Sequence, residues 1–145
     1  MELRDYLNYY NIELTDDSGV EIGRYKAPVY THTGIILGVD KYSKRERIFH
    51  NHPDNGGPTI SDRWEYNNGY MSYSTGKVSQ GAYAVLMRSF EQLENRKQYG
   101  LLSYNCQDAT RYSREGKIGS HGIANTLGTI FALAFIATIL RVKNK

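Results

Sequence analysis

The sequence predicts an α+β domain, an antiparallel sheet packed on helices, followed by a hydrophobic C-terminal helix. Three observations carry that expectation. Residues 28–39, PVYTHTGIILGV, are dense in β-branched and aromatic residues, and RIFHN at 47–51 repeats that character after the turn DKYSKRE, so the two pair as a hairpin. Residues 79–97 form the clearest soluble helix, with Tyr83, Leu86, Phe90 and Leu93 recurring at spacings of three and four. Residues 121–140, HGIANTLGTIFALAFIATIL, carry no formal charge when histidine is neutral.

Taken in order, residues 1–24 are polar and acidic and read as an N-terminal extension, weakly helical over 3–10, without the basic-then-apolar pattern of a signal peptide. Residues 25–118 make the main domain. Gly34 within its first strand marks a close backbone approach. NHPDNGGP at 51–58 is a loop rich in turn formers. Residues 60–76 are aromatic and Gly-punctuated and hold one or two further strands. Asn105 is a good N-cap for a helix from 106 to about 114, stopping at Gly116. Residues 119–142 form the terminal helix. About 20 helical residues at ~1.5 Å rise cover the ~30 Å hydrocarbon core of a bilayer. Arg114 and Lys117 precede the run and Arg141, Lys143 and Lys145 follow it, so flanking charge sets no orientation. A single-pass tail anchor with the domain in the cytoplasm is the expected topology. The small residues spread through the helix also make it a candidate oligomerisation surface.

The bulk numbers narrow the function. The 145 residues are 40% hydrophobic and 23% charged, enough for one globular core. A net charge of +3 is too mild to argue for nucleic acid. The one cysteine, Cys106, allows no intramolecular disulfide, which points to a reducing compartment.

Chemistry is concentrated in RIFHNHPDNGGP and around Cys106. His52-Pro53-Asp54 resembles the loop of J-domain co-chaperones. That family needs a long basic helix before the loop and another after it, and neither flank here reads as one. His50-Asn51-His52 lacks the spread of ligands a ββα nuclease metal site requires. The remaining reading starts from the thiol. At a helix N-terminus, a cysteine meets the positive end of the helix dipole, which favours the thiolate. A histidine nearby would serve as its base. His32 and His50 lie on the two strands of one hairpin, so register can bring them onto one face.

Three blocks, RYKAPVYTHTGIILG, RIFHN and QYGLLSYNCQDATRYSREGKIGS, together resemble the lecithin retinol acyltransferase family of circularly permuted, NlpC-type papain-like enzymes. They occur in the permuted order His, His, Cys, and several family members also end in one hydrophobic anchor. The resemblance spans residues 24–142. It implies Cys106 as nucleophile, His32 as general base and His50 as the residue supporting His32, with His52 as competitor for that third role. Asn105, Tyr30 and Asn51 are the expected supporting residues. It further implies acyl transfer through a Cys thioester intermediate; no cofactor or metal is expected, and the hydrophobic anchor favours membrane lipids as partners, with phospholipid esters as the first expected substrate. Gln107-Asp108-Ala109-Thr110 departs from the family's Glu-His-Phe, which leaves the substrate open. A papain-like cysteine peptidase or amidase, and a non-catalytic membrane-anchored interaction protein, are the alternative readings.

Overall fold

The computed structural model describes residues 1–27, 30–76, 80–96, 98 and 105–117. In chain order these form α1 (Leu3–Tyr9), β1 (Ile12–Glu13), β2 (Glu21–Ala27), β3 (Tyr30–Asp40), β4 (Glu46–His52), β5 (Gly57–Asp62), α2 (Arg63–Asn67), β6 (Ser72–Ser74), α3 (Ala82–Asn95) and α4 (Cys106–Glu115). Among the described residues the strands make one six-stranded antiparallel sheet. Its order is β5-β4-β3-β2-β6, and β1 pairs with the far end of β3. The architecture is therefore α+β, with an antiparallel sheet and helices. The hydrophobic run at 121–140 lies outside the described residues. Among the described residues no helix is long and apolar enough to cross a membrane.

The hairpin forms where β-branched density and turn chemistry coincide. Asp40 Oδ1 accepts from the backbone N–H of Tyr42 (3.0 Å) and Ser43 (2.8 Å), which closes the turn between β3 and β4. Side chains alternate along β3, so each face has its own core. On one face Ile35, Leu37 and Phe49 pack against Val85, Leu86 and Phe90 of α3 and Ala109 of α4. On the other, Ile22, Ile36 and Ile48 are covered by Tyr66 of α2. Burying each large side chain contributes roughly 1.5–3 kcal/mol.

Residues 1–24 do not stand apart as an extension. Leu3, Tyr6 and Ile12 are buried in the helix-side core, and the Tyr6 ring stacks on Phe90 at 5.0 Å. β1 and the start of β2 at Glu21 already belong to the sheet, ahead of the expected domain boundary at residue 25. Scattered apolar residues in an acidic segment leave no clear period, and tertiary packing alone organises them.

Three further expectations shift. The stripe on α3 centres on Val85, Leu86, Ser89 and Phe90, and Tyr83 is exposed. The loop after β4 is shorter than NHPDNGGP. A single 3-10 turn at Pro53–Asn55 follows β4 directly, and Gly57 already opens β5. Strands thus flank His52-Pro53-Asp54 on both sides, which removes the J-domain reading. Residues 63–67 are helical. Asp62 caps α2, accepting from Glu65 N at 2.9 Å while Glu65 Oε2 accepts from Asp62 N at 3.1 Å.

Candidate active site

The end of the sheet where β3 begins gathers most of the chemistry. Register decides which side chains meet there. Gly34 pairs with His50, and Arg24 of β2 pairs with His32. His32 and His50 are therefore diagonal neighbours on one face, the one that Tyr66 covers. His32 Nε2 lies 3.0 Å from His50 Nδ1, and His50 Nε2 lies 3.0 Å from Ser61 Oγ on β5. Both histidines are buried.

Gly34 makes room for this arrangement. A Cβ there would sit 2.8 Å from Ile48 Cγ2, 2.9 Å from the Phe49 carbonyl oxygen and 2.9 Å from Tyr66 Cε2. Its absence lets the Tyr66 ring lie on the sheet, stacked on His32 at 5.3 Å and edge-on to His50 at 5.4 Å. The Tyr66 hydroxyl donates to the carbonyl oxygens of His32 (2.9 Å) and Ile22 (3.3 Å).

Cys106 reaches the same strand from the helix side. Asn105, fully buried, caps α4: its Oδ1 accepts from Gln107 N (2.9 Å) and Asp108 N (3.2 Å), and its own N–H donates to Asp108 Oδ2 (3.0 Å). This seats Cys106 as the first residue of the helix. Thr33 Oγ1 donates to the Cys106 carbonyl at 3.1 Å, and Arg114 at the far end approaches Glu21 of β2 at 3.0 Å, so α4 is tied to the sheet at both ends. Cys106 Sγ is 4.0 Å from the carbonyl oxygen of Thr31, the residue before His32. The Tyr66 phenol is held well above its ordinary pKa, first by burial and next by its electrostatic interaction with Cys106.

Charge in the cluster is set by burial. His50 is pushed from the ordinary 6.5 down to about 3, mainly by desolvation, then by His52 and Arg24. It is neutral throughout the physiological range, so of its two ring nitrogens one donates and one accepts. If Nε2–H donates to Ser61, Nδ1 is the acceptor and His32 donates to it through Nε2–H. The lone pair of His32 is then on Nδ1. The Ser61 hydroxyl, which can either donate or accept, is compatible with this tautomer.

The lowered pKa has a consequence for stability. His50 has a folded pKa below its unfolded one, so the unfolded chain binds more protons between the two values. Stability contributed by neutral His50 is complete above about pH 6.5 and is lost as pH falls toward 3. At pH 4.5 the loss is about 3 kcal/mol. Urea unfolding of wild type and His50→Asn at pH 7 and pH 4.5 checks this, since the variant lacks that part of the acid sensitivity. Equal pH slopes would remove the account.

The other expected residues divide. His52 sits 5.6 Å from the His32 ring, but its Nδ1 accepts from Asp54 N at 3.2 Å and caps the 3-10 turn, so it shapes the loop, while His50 holds the contact with His32. Asn51 is buried but alternates onto the helix face, away from His50. Tyr30 opens β3, and its side chain lies outside what the structure describes. Ser61, Tyr66 and Arg24 were not anticipated. The Asp62-x-x-Glu65 signature could have located α2 and so Tyr66. No local signal distinguishes Ser61 or Arg24. Among the described residues no group of three or more His, Cys, Asp or Glu side chains is arranged to hold a metal ion.

A scan against protein-family models finds no match to this chain, and a search of curated proteins finds none either.

Proposed function

We propose that the protein is a membrane-anchored thiol acyltransferase or hydrolase with a circularly permuted papain-like fold, acting on ester bonds of lipids, phospholipids first among them. The observation that carries the reading is the relay His32 Nε2···His50 Nδ1 and His50 Nε2···Ser61, on the strand whose Thr31 carbonyl lies 4.0 Å from the sulfur of a cysteine at a helix N-terminus. The order of His32, His50 and Cys106 along the chain and the uncharged run at 121–140 agree with it.

In this mechanism His32 Nδ1 takes the proton of the Cys106 thiol. The thiolate attacks the ester carbonyl and forms a carbon–sulfur bond. Asn105 already occupies the amides of Gln107 and Asp108, so the backbone donor for the oxyanion is the Cys106 N–H. The tetrahedral adduct collapses, the carbon–oxygen bond breaks, and the leaving alkoxide takes the proton from His32. Water or a second acceptor then gives its proton to His32, attacks the thioester and releases the thiol. His50 stays neutral and accepts from the imidazolium form of His32 in both halves. A membrane anchor raises the effective concentration of lipid esters at the thiol.

Intact-protein mass spectrometry after incubation with mixed-acyl phosphatidylcholine tests this. Wild type gains one acyl mass that hydroxylamine removes, and Cys106→Ala gains none. A hydroxylamine-stable adduct, or one that persists in Cys106→Ala, overturns the thioester route.

One observation favours a second reading. Cys106 is 0% exposed. A non-catalytic interaction protein of the same fold accounts for a sealed thiol, and slow iodoacetamide labelling together with no acyl adduct would place that reading first.

A further inference from the structure

Two exposed tyrosines lie together on the helix side of the sheet, beside the strand that the thiol touches. Along β2, Ile22 packs against Tyr66, and the buried Arg24 has its guanidinium carbon 5.5 Å from the Tyr66 ring centre and 5.8 Å from that of Tyr70. Alternation therefore turns Gly23 and Tyr25 to the opposite face, the one on which α4 packs. Tyr73 of β6 pairs with Gly23 and joins them there. The Tyr25 and Tyr73 rings are 5.5 Å apart, centre to centre, with 35° between their planes. Tyr25 is 64% exposed and Tyr73 39%.

Gly23 sets where the Tyr73 ring goes. A Cβ at that position would lie 3.1 Å from Tyr73 Cζ and Oη and 3.0 Å from Thr31 Cγ2. The missing side chain leaves a floor over which Tyr73 lies, its hydroxyl end toward Thr31. Thr31 is in register with Tyr25, and its carbonyl oxygen is the one 4.0 Å from Cys106 Sγ and 3.4 Å from Gln107 Nε2. Thr33, on the same face two residues on, holds the Cys106 carbonyl. A single residue, Thr31, thus separates the ring pair from the thiol. Glu21, at the start of this face of β2, is closed off by Arg114 at 3.0 Å and the Thr75 hydroxyl at 3.0 Å. Gly23, Tyr25, Thr31 and Tyr73 are uncharged, so a ligand there meets ring faces and a methyl group rather than ions. Scattered exposed tyrosines are ordinary, but two in contact that end at the residue the thiol touches form a directed surface.

We propose that the Tyr25–Tyr73 ledge is the binding subsite for the aliphatic acyl chain of the donor ester. The surface is uncharged, aromatic, open on one side and continuous with the strand at the sulfur, which suits an alkyl chain. The assignment rests on the acyl-transfer reading above for its reaction. The chain lies along the two rings with its carbonyl end at Thr31, and each of its methylenes, if fully buried, is worth about fourfold in affinity. Preference for long-chain over short-chain esters then comes from Tyr25 and Tyr73, outside the machinery of His32, His50 and Cys106.

Two measurements on the full chain test it. The first compares acylation of Cys106 by p-nitrophenyl octanoate and p-nitrophenyl acetate. Wild type prefers the octanoate about 10- to 100-fold, less than six fully buried methylenes would give, because the ledge covers one side of the chain. Tyr73→Ala and Tyr25→Ala each cut that preference about fivefold. Tyr73→Phe keeps it, which separates a lost ring from a lost fold. The second compares alkylation of Cys106 by N-octyliodoacetamide and by iodoacetamide, each normalised to a free thiol, and needs no turnover. Cys106 is 0% exposed, and the ratio of the two rates cancels whatever opening the thiol requires. Wild type favours the octyl reagent, and Tyr73→Ala removes the preference. Ratios that Tyr73→Ala and Tyr25→Ala leave alone overturn the subsite, as does a thiol that neither reagent labels. An octyl preference in alkylation that depends on Tyr73, with no acyl adduct from either ester, keeps the subsite and fails the acyl-transfer reading. An acyl adduct whose rate ignores both rings keeps that reading and fails the subsite.

Discussion

On the proposed mechanism, replacing His32 with alanine slows acylation of Cys106 by about 10²- to 10⁴-fold, the range that a positioned general base contributes. His32 is the residue next to the carbonyl that the thiol touches, and it is the histidine whose Nε2 is already committed to His50. The proposed mechanism assigns the proton exchange with sulfur to its Nδ1. Removing the ring leaves Cys106 capped on α4 with only the helix N-terminus to favour the thiolate. His50→Ala takes away the acceptor for His32 but leaves the base in place, so its loss is smaller. Stopped-flow acylation and iodoacetamide labelling as a function of pH, with circular dichroism as a check on folding, separate the two. The pH at which labelling reaches half its maximum shifts upward in His32→Ala. Wild-type rates in a folded His32→Ala protein would sink the base assignment and, with it, the mechanism.

Replacing Gly34 with valine destabilises the protein by about 3 kcal/mol or more, at or above the upper end of ordinary overpacking. The first carbon of any side chain there meets the Phe49 carbonyl oxygen at 2.9 Å, and backbone cannot swing aside as the end of a flexible side chain can. The strand is central, bonded to β2 on one edge and β4 on the other, so it cannot shift alone. The other neighbour is Tyr66, and pushing its ring outward also unstacks His32. On the proposed mechanism, catalysis and stability therefore fall together in this variant. Gly81→Ala is the control, because nothing lies within 4 Å of the added carbon. Urea unfolding that shows equal midpoints for Gly34→Val and wild type would contradict this packing account.

The elements that were legible in the sequence share one property: their signals are local. Asn105 and Gly116 bracket α4 because a side-chain acceptor and a left-handed residue satisfy helix ends wherever they stand in a chain. The hairpin of β3 and β4 could be read from residue type and a five-residue turn. Its alternation was enough to place His32 and His50 on one face once Gly34 and His50 came into register. The elements that were missed have weaker or distributed signals. Residues 3–24 join the core through Leu3, Tyr6, Ile12 and Ile22, four apolar side chains that share no period. α2 is a five-residue helix, too short for periodicity, and only its capping pair announces it.

The sequence by itself determined the α+β character, the hairpin, the position of Cys106 at a helix start and the identity of the two histidines, because each depends on neighbours along the chain. Only the tertiary structure decided that His50 lies within 3.0 Å of both His32 and Ser61, and that Asn51 lies on the other face. It alone placed Arg24 beside the pair, buried between two tyrosine rings. Those outcomes depend on strand register and on which face each side chain enters. A shift of one residue would exchange every inward and outward position, and the residues that set the register are distant in sequence from those it places.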